Sequence, residues 1–131
     1  MTVSAYARSF FVTAALLAAL GVVSGALGAH GLREVIVPGR QGTYETAVQY
    51  HFFHALGLMM VALAMDRLPG QRLLRWAGGA MLAGIVLFSG SLYVLSLGGP
   101  GGLGALTPLG GLAFIAGWLF LALAAWRSTP S

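Results

Sequence analysis

The alternation of apolar and polar positions divides the chain into four long hydrophobic stretches. The first runs from Ser9 to Ala29 without a charge, and the second runs from Tyr44 to Met65, just before Asp66. The remaining charge-free stretch, 76–126, is too long for one helix, and its glycine- and proline-rich segment 98–102 interrupts it. Because a membrane-spanning helix needs about 20 apolar residues, the pattern predicts four transmembrane helices. They are expected at about 9–30, 44–65, 76–97 and 107–126.

These four spans predict an all-α integral membrane protein, a left-handed, mostly antiparallel four-helix bundle that forms one domain over residues 1–131. The arginines indicate its orientation. Five of the seven lie at the N-terminus, in the middle loop and at the C-terminus: Arg8, Arg67, Arg72, Arg75 and Arg127. The first loop holds Arg33 and Arg40, and the third holds none. Because positive residues favour the cytoplasmic side, we expect both termini to face the cytoplasm.

The N-terminal stretch has an alternative interpretation as a signal peptide. Arg8 precedes an apolar run, and small residues at 26–29 resemble a cleavage site. However, the apolar run is longer than a usual signal core of about 7–15 residues. Cleavage would also leave three spans and weaken the charge asymmetry. We therefore expect the first helix to be retained.

Residues that favour helix ends punctuate the predicted spans. Thr43 is a candidate N-cap of the second helix, with Glu45 in its first turn, where a negative charge is favourable. Thr107 followed by Pro108 is typical of an N-cap and a first helical position. The three tryptophans are candidate anchors at the membrane interface: Trp76, Trp118 and Trp126.

The composition excludes several functional classes. The chain is 58% hydrophobic and only 8% charged, against about 25% charged in soluble domains. Its net charge of +4 comes from arginines scattered beside apolar runs, so no nucleic-acid partner is predicted. There is no Cys or Lys and there are only three acidic residues. Thiolate, Schiff-base and paired-carboxylate chemistry are therefore not expected, and we predict no catalytic residues and no cofactor.

One helical face concentrates the polar groups of the second span. Tyr44, Ala47, His51, His54 and Leu58 follow the spacing i, i+3, i+7, i+10 and i+14. Polar groups are costly in hydrocarbon. The stripe should therefore face other helices rather than lipid.

With the predicted topology, most polar groups that could lie inside the membrane fall in its outer leaflet. His30 ends the first helix there, the second helix enters there, and serines of the third helix reach the same depth. We call this candidate site the polar layer: His30, Tyr44, Glu45, Tyr50, His51, His54, Ser89, Ser91, Tyr93 and Thr107.

Four motifs in order resemble a known family. They are Gly28–Gly31, Tyr44–His54, Phe88–Tyr93 and Thr107–Gly111. Together they are similar to the family called domain of unknown function 423, which includes small bacterial inner-membrane proteins and the eukaryotic transmembrane protein 256. The resemblance spans nearly the whole chain. It implies a four-helix integral protein of the bacterial inner (plasma) membrane and carries no particular activity.

Several roles remain open for His51 and His54. They can form a hydrogen-bonded tie from the second helix to Ser89, Ser91 or Tyr93, or belong to an ion or proton pathway. They can also ligate a metal with His30 or Glu45, or a haem with His30 or another chain, or serve as a base in an enzyme acting on lipid or quinone. Of these, the sequence favours the tie.

That tie predicts a non-enzymatic accessory, structural or lipid- or ligand-binding membrane subunit, with a small-solute, ion or proton transporter or channel as the alternative. The expected partners are the lipid bilayer and either a second copy of the chain or another subunit of a membrane complex. Small-residue spacings, such as Gly79 and Ala83, suit close helix packing or self-association.

Overall fold

Within residues 2–129, four helices are long and apolar enough to cross a membrane. A computed structural model describes residues 2–129, and every regular element in that range is helical. Helix α1 is Ala5–Ala29, α2 is Gln41–Ala64, α3 is Gln71–Ser96 and α4 is Leu106–Trp126, which follows a 3-10 turn at Gly101–Ala105. The predicted all-α architecture with four membrane-spanning helices is therefore confirmed.

The start of α2 differs from the sequence prediction. The helix begins at Gln41 with Arg40 as its N-cap, so Thr43 and Glu45 lie inside it and Thr43 is not the cap. A turn in the backbone and a hydrogen bond explain the earlier start of α2. Gly39 takes a positive φ of 83° that turns the chain, and the Gln41 amide donates to the Gly28 carbonyl at the end of α1.

The start of α4 also differs. The 3-10 turn runs directly into the helix, which places Ala105 at the N-cap and Thr107 in the first turn. The Thr107 hydroxyl does not cap the helix. It lies 2.6 Å from the Ser91 hydroxyl of α3 instead.

The two ends of the bundle differ in chemistry. At one end, the loop after α1 meets the end of α3: the Val37 N–H donates to the Ser96 carbonyl, and the Arg40 guanidinium donates to the Leu95 carbonyl at 2.6 Å. We call this the loop end, formed by residues 30–40 and 97–105. The other end, formed by residues 2–8, 65–72 and 124–129, carries Arg8, Arg67, Arg72 and Arg127 and is called the arginine end.

Glycines allow the helices to approach closely. A Cβ at Gly110 of α4 would lie 2.3 Å from the backbone nitrogen of Phe88 in α3, so the two backbones are in contact there. In the α1–α2 pair, Gly28 accommodates the Tyr44 ring, and a Cβ at Gly21 would lie 3.1 Å from the Phe52 ring. Toward the arginine end the core is apolar and includes Ala7, Val61, Met65, Leu74, Ala77 and Ala124.

Helix α3 contains one turn of π-helix at Ile85–Ser89, which the sequence did not indicate. There the Gly90 N–H donates to the carbonyl of Ile85, five residues earlier. A π turn holds one residue more than an α turn and often occurs at functional sites. Its last residue, Ser89, is fully buried, and its hydroxyl has no hydrogen-bond partner within residues 2–129.

Candidate functional site

His51 joins α2 to both α1 and α3. Its Nε2 lies 2.8 Å from the Leu17 carbonyl oxygen, and its Nδ1 lies 2.8 Å from the Tyr93 hydroxyl. A carbonyl can only accept, so Nε2–H is the donor and, in the neutral ring, Nδ1 accepts from Tyr93. The buried imidazole therefore has both nitrogens engaged. In this neutral form it connects three helices.

His54 joins α2 to α4 through a different nitrogen pattern. The Trp118 indole N–H donates to its Nε2 at 3.0 Å, and its Nδ1 lies 2.7 Å from the Tyr50 carbonyl. An indole can only donate, so His54 carries its proton on Nδ1, the opposite tautomer to His51. The ring also stacks on Phe114 with centroids 3.5 Å apart.

Tyr44 and Tyr93 complete the contact between the helix pairs. The Tyr44 hydroxyl donates to the Ser24 carbonyl of α1 at 2.6 Å, and the buried Tyr44 ring meets Tyr93 edge-on with centroids 5.4 Å apart. Tyr93 in turn donates to His51. One polar cluster thus extends from α1 through α2 to α3.

Two serines on α3 differ in their partners. The Ser91 hydroxyl donates to the Phe88 carbonyl at 2.9 Å and therefore accepts from Thr107, which links α3 to α4. Ser89, by contrast, has no partner among the described residues. Ser91 and Thr107 consequently belong to the network of the polar layer, whereas Ser89 is buried beside it.

The structure does not bring every member of the polar layer together. His30 caps the exposed end of α1, and Glu45 is exposed on α2. Tyr50 is 38% exposed and contributes its ring to the Phe88 side chain rather than its hydroxyl to the network. His30 and Glu45 therefore lie outside the hydrogen-bonded cluster, and Tyr50 takes part in it only through its backbone carbonyl, which accepts from His54.

The spacing of α2 predicted its buried face, because Tyr44, Ala47, His51, His54 and Leu58 are all buried. Because α2 begins at Gln41, however, His54 lies about 20 Å along a helix of about 36 Å, close to its middle. The polar layer thus reaches deeper than the sequence suggested.

The sequence missed four residues that complete the cluster: Leu17, Ser24, Phe114 and Trp118. Leu17 and Ser24 contribute backbone carbonyls, for which a sequence gives no signal. Trp118 was interpreted as an interface anchor, but its N–H bonds to His54 twelve residues into α4. The sequence offered one indication of this bond, because Trp118 lies in the middle of an apolar span and an indole N–H inside a membrane needs an acceptor.

The histidines do not fit the metal or haem hypothesis. Within residues 2–129 no three His, Asp or Glu side chains lie close enough to share a metal ion. Every ring nitrogen of His51 and His54 already has a protein partner. The two candidate third ligands, His30 and Glu45, are both exposed.

A polar path across the bundle is also not apparent in the described part of the chain. The buried polar side chains there are His51, His54, Ser89, Ser91 and Ser96, all in the middle of the bundle or toward the loop end. Between His54 and the arginine end the buried side chains are apolar, with Leu58, Met81, Val61 and Leu74 fully enclosed.

Comparison with known proteins identifies relatives of the chain. A family model described as "Protein of unknown function (DUF423)" matches residues 24–111, which confirms the resemblance carried by the motifs. The chain is 50% identical over 118 residues to the UPF0382 membrane protein YwdK of Bacillus subtilis, covering 90% of this chain and 96% of the relative.

Staphylococcal relatives match over similar lengths. The UPF0382 membrane protein SH2409 of Staphylococcus haemolyticus is 40% identical over 92% of this chain and 97% of its own. The UPF0382 membrane protein of Staphylococcus epidermidis is 42% identical over 89% and 94%, respectively. No solved structure matches the chain.

Proposed function

Because the chain belongs to the DUF423 family, whose relatives are named membrane proteins of bacteria, we propose that it is a non-enzymatic subunit or stabiliser of the inner (plasma) membrane. The polar layer then serves to hold the four helices in one arrangement. A single observation carries this proposal: both buried imidazoles use both of their nitrogens on partners in the bundle. Each N–H of these rings donates to a backbone carbonyl, which cannot pass a proton on, and no ring nitrogen is left to bind a substrate.

We further propose that residues 1–131 form one membrane domain, an antiparallel bundle with both termini in the cytoplasm. Tyr44 meets Gly28 and Phe52 meets Gly21, which supports opposite directions for α1 and α2. The carbonyls of Leu17 and Ser24 bond to α2, which supports a retained first helix. The arginine end, by the positive-inside rule, faces the cytoplasm.

This orientation can be tested directly because the chain has no cysteine. Single Glu34→Cys and Gly101→Cys variants, both at exposed positions of the loop end, should react with an impermeant thiol reagent from outside intact cells. A cysteine at Arg67 should react only after the membrane is opened. The opposite pattern would contradict the orientation without affecting the packing argument.

We propose that the chain associates through α3 with a second copy or another membrane subunit. Of the small-residue pairs on its helices, Gly21 packs on Phe52 and Gly117 on Met81 and the Ala77 carbonyl. Gly79 and Ala83, however, are exposed, and nothing lies within 4 Å of a Cβ at Gly79. Native mass spectrometry should show a defined complex that Gly79→Leu disrupts. Ala122→Leu, on the exposed face of α4, should leave it intact, and a monomeric wild-type protein would refute self-association.

If the polar layer is structural, its side chains should stabilise the folded protein, and the protein should not conduct ions. His51→Ala removes two hydrogen bonds and a packed ring, and should cost at least about 2 kcal/mol of unfolding free energy. Gln49→Ala, on the exposed face of the same helix, is the control and should cost little.

Purified protein in liposomes distinguishes this role from transport, the runner-up. Wild-type vesicles should conduct protons and monovalent ions no faster than protein-free vesicles. Conduction that His51→Ala abolishes, with the fold retained, would replace the structural proposal by transport.

A further inference from the structure

One surface cavity lies at the arginine end, away from the polar layer. It is a groove of about 550 Å³ between the start of α3 and the end of α4. Arg72 and Gln71 line one side, Arg127 and Ala124 the other, and Leu73 and Trp76 continue it along α3. It thus combines two guanidinium groups with an apolar wall.

The charge of this groove is not balanced locally. None of the residues that line it is acidic, and both arginines are exposed. A neighbouring groove at the same end, of about 350 Å³, contains Arg8 but also Asp66. A third groove, of about 620 Å³, contains Arg8 without an acidic residue. The pair of arginines therefore distinguishes the first groove from the two that contain only Arg8.

The groove has a closed floor and an apolar extension. A Cβ at Gly70 would lie 3.3 Å from the Cβ of Ala124, so the two helix ends are in direct contact beneath it. Trp76 is 55% exposed and packs edge-on against Phe120 with ring centroids 5.6 Å apart. From the two guanidinium groups this wall leads along α3 and α4 toward the bilayer, at the depth where indole rings favour the headgroup region.

We propose that this groove binds one anionic glycerophospholipid, with the phosphate between Arg72 and Arg127 and one acyl chain along Leu73 and Trp76. Guanidinium groups bind phosphate oxygens in a planar, bidentate geometry. Basic pockets between helices on the cytoplasmic side of a membrane attract anionic headgroups. A zwitterionic lipid carries an ammonium that two arginines would repel. The site is independent of the role proposed for the polar layer.

Native mass spectrometry of the full-length protein tests the site. The protein is released from nanodiscs that contain equal amounts of phosphatidylglycerol and phosphatidylcholine. We expect one phosphatidylglycerol to be retained per protomer, in about tenfold preference over phosphatidylcholine. This ratio corresponds to a difference of about 1.4 kcal/mol in binding free energy. Equal retention of the two lipids would overturn the proposal.

Two double variants separate a specific site from general surface charge. Arg72→Gln with Arg127→Gln should abolish the preference. Arg8→Gln with Arg67→Gln makes the same change in net charge at the same end and should preserve it. Equal loss in both variants would show that only the surface potential attracts the lipid, and the proposal would be wrong.

Two further measurements cover the remaining outcomes. Excess inorganic phosphate should not displace the lipid, because the acyl chain contributes to binding. Displacement would show a site for a free anion instead. Trp76→Ala leaves the charge unchanged and should lower lipid retention even if the arginine variant fails to fold. Full retention in Trp76→Ala would contradict the proposed acyl-chain wall.

Discussion

The indole N–H of Trp118 donates to Nε2 of His54 across 3.0 Å, which joins the middle of α4 to the middle of α2. This bond makes His54 an acceptor at Nε2 and leaves its proton on Nδ1, directed at the Tyr50 carbonyl. An apparently lipid-facing tryptophan therefore determines the protonation pattern of a buried histidine.

Trp118→Phe should destabilise the bundle because Nε2 of His54 would then be buried without a donor. The expected cost is about 0.6–1.7 kcal/mol, from the average to the largest value measured for hydrogen bonds between membrane helices. Reversible unfolding in mixed micelles, followed by circular dichroism, measures it. Trp76→Phe removes an indole from an exposed position and should change stability much less. Equal effects would show that the bond contributes nothing.

The two histidines should be found in opposite neutral tautomers. Nitrogen-15 solid-state NMR of the protein in lipid should show protonated Nε2 in His51 and protonated Nδ1 in His54. Tyr93→Phe should shift the Nδ1 signal of His51 alone, because the Leu17 carbonyl still fixes its proton on Nε2. The same tautomer at both sites would contradict the hydrogen-bond assignment.

Gly110→Ala should separate α3 from α4. The new methyl group would lie 2.3 Å from the backbone nitrogen of Phe88, and backbone cannot move aside as a flexible side chain can. We expect a loss of about 1–3 kcal/mol or more in unfolding free energy. Gly111→Ala is the adjacent control, since its nearest neighbour, also on Phe88, is 3.9 Å away. A stable Gly110→Ala variant would contradict the close backbone approach.

Ser89→Ala and Ser91→Ala should have opposite consequences. The Ser89 hydroxyl is buried and has no partner within residues 2–129, so its removal should be neutral or stabilise by up to about 1 kcal/mol. Ser91→Ala removes the acceptor of the Thr107 hydroxyl and should cost about 0.6 kcal/mol or more. Chemical unfolding of both variants in the same micelles makes the comparison. Destabilisation by Ser89→Ala would indicate a bound water or another partner.

The sequence predicted the elements that depend on local periodicity. The length of the apolar stretches predicted the four spans, and the spacing of Tyr44, His51 and His54 predicted the buried face of α2. Tyr93 was also among the partners expected for a histidine. These succeeded because one helix face repeats every three to four residues.

The remaining features depend on contacts between distant segments. Trp118 lies 64 residues from His54 in the sequence, and a tryptophan side chain suits a membrane interface as well as it suits a bond to a buried histidine. Thr107 has the sequence of a helix cap, yet Ser91 offers its hydroxyl a partner across the helix pair. The approach of Gly110 to Phe88 likewise requires the packed pair of α3 and α4. Neither helix propensity nor residue spacing can decide between a local role and a partner on a distant segment.

The π turn at Ile85–Ser89 makes the length of α3 as important as its composition. Because a π turn holds one residue more than an α turn, deleting one residue there would restore an ordinary α turn and leave the segment beyond it facing the same neighbours. The same deletion earlier in α3 would rotate that segment by about 100°, and Tyr93 would turn away from His51 and Ser91 from Thr107. Relatives with a one-residue gap at the π turn should therefore have an unbroken α-helix there and keep the same partners for their histidines.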